Sequence, residues 1–163
     1  MRKKKIEKEL LLCILILNLG VLLPLIHRKS PIKDWIIVYL FNAVTNGIID
    51  KVLTENKIIK YPNRLFPKIY DTHILFDFFL YPTFTIVYNQ MTAKDKAFGI
   101  IYKLFVITIP VFLIEFLAER KTNLVEWTRK WRWYHTFVSI IIKSLLTRLF
   151  IALIRRADAK MKN

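Results

Sequence analysis

The feature that most constrains this chain is an alternation: apolar runs long enough to cross a bilayer, separated by short basic clusters. The first run extends from Leu10 to Ile26, 17 residues broken only by Asn18, and follows Arg2-Lys3-Lys4-Lys5. A secretory signal begins in this way, but Leu22-Leu23-Pro24-Leu25-Ile26 offers no small-residue cleavage site, so the segment reads as an uncleaved first span. Of 163 residues 55% are apolar, yet 27 Lys and Arg face 12 acidic residues, for a net charge of +15. A water-soluble core does not combine such apolarity with such charge. Apolar runs in lipid with basic residues between them, against anionic headgroups, reconcile the two.

The remaining spans follow from punctuation. Ser30-Pro31 supplies an N-cap and a first-turn proline for a span over 31–53. The stretch from Thr54 to Lys68, with Pro62 and Pro67, reads as an irregular basic connection. A third span fits 69–88. Thr92 and Asp95 have capping-box spacing ahead of a fourth over 97–117, which contains Pro110. Leu124, Trp127, Trp131 and Tyr134 recur every three or four residues, which predicts a short amphipathic interfacial helix over 123–132. A fifth span covers 133–154. The expected fold is therefore all-α: one integral membrane domain, a bundle of about five transmembrane helices with an interfacial helix before the last.

With the N-terminus inside, the inner segments carry 15 basic residues and the outer segments nine, which places the N-terminus in the cytoplasm and the C-terminus outside. If one apolar segment is re-entrant, the count falls to four spans and the C-terminus moves inside. Arg64, Lys68, Arg129 and Lys130, with Trp127, Trp131 and Trp133, are the candidates for headgroup and interface contact.

Ionisable groups within a bilayer cost several kcal/mol unless they face the bundle interior, a partner or water. Asn42, Asn46 and Asp50 lie four residues apart and form one stripe; His73, Asp77 and Tyr81 form another. Lys103 and Glu115 lie on the fourth span, Lys143 and Arg148 on the fifth. Counted from the span starts at ~1.5 Å per residue, Asp77 and Lys143 sit at similar depth and are expected to pair. Asp50 and Glu115 fall toward the inner side, Lys103 and Arg148 toward the outer.

Other chemistry is poorly served. His73 and Asp77 have ligand spacing, but no cysteine pair or second histidine motif joins them, so no metal or cofactor is expected. Phosphate loop, dinucleotide fingerprint and nucleophile elbow are all missing, and an enzyme would rest on Asp77 or Glu115 alone. The basic clusters lack zinc-finger or RNA-binding motifs, which excludes nucleic acid as the expected partner. The partners expected are the bilayer itself, with anionic lipid, and a second copy or another membrane protein.

Several landmarks occur in order: Ser30-Pro31-Ile32-Lys33-Asp34-Trp35, Tyr61-Pro62 with Arg64 and Pro67-Lys68, Leu75-Phe76-Asp77 with Pro82, Tyr88-Asn89-Gln90, Pro110 with Glu115 and Glu119, and Trp131-Arg132-Trp133. Together they resemble an uncharacterised family of small multi-pass membrane proteins from spore-forming Gram-positive bacteria. The resemblance implies a bacterial cytoplasmic membrane and carries no activity. From sequence, the first reading is a non-enzymatic association or scaffold component whose polar stripes hold the helices together. A small oligomeric channel or carrier with a charged path comes second, and an intramembrane enzyme third.

Overall fold

The computed structural model describes residues 2–28, 31–128 and 130–161, with the side chains of Arg2 and Lys3 excepted. It is an all-α bundle. Helix α1 spans Arg2–Arg28, α2 Ile32–Glu55, α3 Tyr81–Thr92, α4 Ala97–Lys121 and α5 Trp133–Met161. All but α3 are long and apolar enough to cross a membrane. Their outward faces confirm the pattern: Leu17, Leu40, Ile48, Ile114 and Leu149 are each more than half exposed. A water-soluble bundle would turn such side chains inward.

Pro31 occupies the N-cap position of α2, one place earlier than expected, and Ser30 lies outside the described residues. Helix α2 ends in a Schellman turn. Lys57 takes a left-handed conformation (φ 55°), and the amides of Ile58 and Lys57 reach back to the carbonyls of Leu53 and Thr54 at 2.9 Å each. The turn delivers the chain into a two-residue strand, β1 (Ile59–Lys60).

The third helical segment begins at Leu75, later than the predicted 69. Arg64 explains the delay: it donates to the carbonyls of Tyr61, Tyr70 and Pro67 and to Asp71, which folds residues 61–71 into a closed irregular loop. Leu75–Leu80 is a π-helical stretch running directly into α3. Pro82 supplies the physical reason. It has no N–H to give to the carbonyl four residues back, and its ring crowds that carbonyl, so a wider turn relieves both problems.

The predicted interfacial helix over 123–132 does not form. Leu124 and Val125 are buried, and Glu126–Trp127 forms β2, antiparallel to β1 with Ile59 opposite Trp127. The amides of Asn63 and Thr128 bond across to Asn123 and Ile58. A helix this short nucleates poorly, and pairing with the other connection satisfies the same backbone groups.

That pairing places both connections, 56–74 and 122–132, at one end of the bundle. Glu7 near the start of α1 joins them, accepting from the Asn63 side chain and from the Asn123 amide. At the opposite end Lys33 bonds Asp158 and Arg155 bonds Asp34, each at 2.6 Å, tying the first turn of α2 to the last turns of α5. Apolar packing follows the same division. Leu11, Leu65, Leu75 and Leu124 form a core at the connection end, while Leu22, Trp35, Val38, Ile86 and Ile151 form one toward the other.

Candidate functional site

Helix α2 holds its stripe inward, as a four-residue spacing dictates. From the far end toward the connections, Asn42 accepts from Thr147 Oγ1 at 3.2 Å. Asn46 accepts from Lys143 Nζ and donates to the Asp77 carbonyl at 3.3 Å. Asp50 accepts from the Tyr61 hydroxyl at 2.7 Å. These bonds join α2 to α5, to the π-helical stretch and to the first connection.

Between Asp50 and α5 lies a cavity of about 320 Å³, lined among others by Asn46, Asp50, Asp77, Tyr81, Glu115 and Lys143. Its walls come from α2, the π-helical stretch, α3, α4 and α5. Ile59, Tyr61, Val125 and Trp131 from the two connections form its floor. On the far wall Tyr81 donates to Glu115 Oε2 at 2.5 Å and Thr136 donates to Oε1 at 3.3 Å, so both oxygens of Glu115 are served. Trp131 Nε1 donates in turn to Thr136 at 2.8 Å.

Asp50 and Asp77 are different. Each is about 5% exposed, and the two carboxyl groups face each other within hydrogen-bonding reach. The Oδ2 atom of each has no donor among the described residues. Two acceptors set against each other in a closed site need something between them: a proton, or the N–H or O–H of a bound molecule.

The expected pair of Asp77 and Lys143 is not formed. Lys143 is bound to Asn46, and Asp77 turns to Asp50. Lys103 and Arg148 lie outside the cavity, at the other end. Arg148 donates to Thr92 Oγ1 at 2.7 Å and to its carbonyl at 2.6 Å, while Lys103 donates to the Met91 carbonyl at 2.9 Å and pairs with Asp95 at 2.7 Å. Two cations thus close the C-terminus of α3, where free carbonyls and the helix dipole favour positive charge. His73 is buried edge-on to Tyr61 and Phe76, both ring nitrogens lacking partners among the described residues, and no group able to hold a metal is present among those residues.

The interface candidates divide. Lys68 and Lys130 are exposed at the connection end, and Trp133 is half exposed at the start of α5. Arg64 is spent on its own loop, Trp127 packs against Phe116, and Trp131 lines the cavity. Arg129 lies outside the described residues. Tyr61 and Thr136 are site residues that sequence reasoning missed, and Trp131, expected at the interface, lines the cavity instead. Burial, and then the Asp50 charge beside it, push the Tyr61 hydroxyl well above the ordinary tyrosine range, which keeps it a donor.

No family model matches the chain, and neither a curated protein nor a solved structure is measurably similar to it.

Proposed function

We propose that this is a membrane protein of five crossings that binds a small ammonium-bearing molecule in the cavity, as a carrier would. Four helices of spanning length and the apolar outer faces are compatible with an integral membrane protein. The π-helical stretch and α3 together run 18 residues and supply the fifth crossing. The ordered landmarks that resemble the family from spore-forming bacteria favour a bacterial cytoplasmic membrane. The basic excess at the connection end favours that end as cytoplasmic, with exposed Lys57, Lys60, Lys68 and Lys130 toward anionic lipid.

One observation carries the binding reading: the buried Oδ2 atoms of Asp50 and Asp77, each without a donor among the described residues, belong to two neighbouring carboxyl groups that line one cavity. Side chains that only hold helices together complete each other's hydrogen bonds, as Asn42 and Thr147 do. Asp50 and Asp77 complete each other only while one of them keeps a proton, which a bound ammonium would replace. A primary ammonium offers three N–H donors and a compensating charge. The volume is at the low end for ligand cavities and suits a headgroup-sized occupant.

Binding of radiolabelled octylammonium to the purified protein in detergent tests this. Saturable binding, absent in Asp77→Asn, is the expected result. Equal binding by both proteins would return the polar groups to the role of structural glue and favour the association reading.

A further inference from the structure

We propose that the natural occupant is a phospholipid whose headgroup ends in a primary ammonium, admitted sideways from the leaflet at the connection end. This rests on the reading that the cavity binds an ammonium group, and adds the source and route of that group.

The route follows from which walls are closed. The floor is sealed from the connection end by Ile59 and Val125, each 4% exposed, and by the β1–β2 pairing. Toward the other end the seam between α2 and α5 is shut by three successive contacts. The Phe41 and Phe150 rings stack at 4.2 Å, Asn42 meets Thr147, and Asn46 meets Lys143. On the connection side of these contacts, Ile49 of α2 and Ile142 of α5 line the cavity while about half exposed. The opening is therefore lateral, apolar at its lips and at membrane depth. A hydrophilic amine has no reason to pass such lips, whereas a lipid presents its acyl chains to them.

The charges inside have an order. Asp50 is one helical turn nearer the connections than Asn46, the residue that holds Lys143. Asp77, two residues into its helix, stands beside Asp50. A lipid of that leaflet, read from the bilayer centre outward, presents acyl chains, then phosphate, then ammonium. In the cavity that sequence sets the phosphate at Lys143 and the ammonium between Asp50 and Asp77. A quaternary ammonium has no N–H to give the two Oδ2 atoms, and a headgroup without nitrogen brings them neither a donor nor a compensating charge. Both are disfavoured.

Native mass spectrometry of the detergent-purified protein tests this, with dioleoyl phosphatidylethanolamine, phosphatidylcholine and phosphatidylglycerol offered at equal concentration. One phosphatidylethanolamine should be retained with about tenfold preference over either competitor. That preference should vanish in Asp77→Asn. It should vanish also in Ile142→Trp, which fills the lateral opening and leaves the carboxyl groups untouched. Retention of phosphatidylglycerol or phosphatidylcholine on equal terms would overturn the proposal. So would Asp77-dependent binding of water-soluble O-phosphoethanolamine that Ile142→Trp leaves intact; that outcome would preserve the ammonium site and remove the lipid from it. Failure of every amine to bind would remove both.

Discussion

Arg155 donates through Nε to Asp34 Oδ2 at 2.6 Å, across 121 positions of sequence, and lies over the Trp35 ring at 5.4 Å. Asp34 is 1% exposed, so this charge has been moved out of water and depends on its partner. The contact holds the start of α2 to the end of α5, opposite the paired connections. Asp34→Ala removes a charge-assisted hydrogen bond and leaves a half-buried guanidinium on Trp35 alone. The variant should lose about 2 kcal/mol of stability, read by thermal unfolding in detergent, with the cavity's ligand binding unchanged.

The arrangement of the ends predicts a labelling pattern. Cys13 is the single cysteine, so Cys13→Ser gives a clean background. Single cysteines at Lys57 and Lys130 should react with a membrane-impermeant maleimide from one side, and cysteines at Lys94 and Lys160 from the other. Reaction of the Lys57 and Lys94 positions from the same side would remove the crossing by the π-helical stretch and α3.

Tyr61 predicts an alkaline effect. Its folded-state value lies above that of the unfolded chain, because burial and the Asp50 charge oppose loss of the proton. The folded state therefore keeps a proton that the unfolded state releases. Stability is untouched below the unfolded value, about 10, and falls as pH rises through it. Melting temperatures followed from pH 8 to about 11 should fall more steeply for the wild type than for Tyr61→Phe. Parallel curves would count against a buried Tyr61.

Asp77→Asn should separate stability from binding. The new amide brings an N–H to the Oδ2 of Asp50, filling the gap that the two carboxyl groups leave open. The variant should melt no lower than the wild type, and up to about 1 kcal/mol more stable, while losing the ammonium site. A large loss of stability would mean that the Asp77 carboxylate has a structural partner.

Much of the bundle was legible in the sequence because its signals are local. The apolar runs set α1, α2, α4 and α5, and four-residue spacing put Asn42, Asn46 and Asp50 on one inward face. Partner choice was not legible, and Asp77 shows why. The apolar pattern starts its span at residue 69, whereas Arg64 gathers the preceding loop and the helix starts at Leu75. Six residues amount to ~9 Å along a helix, enough to bring Asp77 to Asp50 instead of Lys143. Trp127 and Trp131 carried a helical spacing that pairing with the distant Ile59–Lys60 overrode. Tyr61 and Thr136 entered the site through tertiary placement alone.

The central claim is that the Asp50–Asp77 gap is reachable and is filled by an N–H donor. Dicyclohexylcarbodiimide, an apolar reagent that adds to protonated carboxyl groups, reads this directly in proteoliposomes by peptide mass analysis. The adduct should fall on Asp50 or Asp77. Modification, counted as the carbodiimide adduct together with the octylamide that an amine forms from the activated carboxyl, should be suppressed by octylammonium and not by octyltrimethylammonium, which has the same charge and chain but no N–H. Equal suppression by the two, or by neither, would contradict the account.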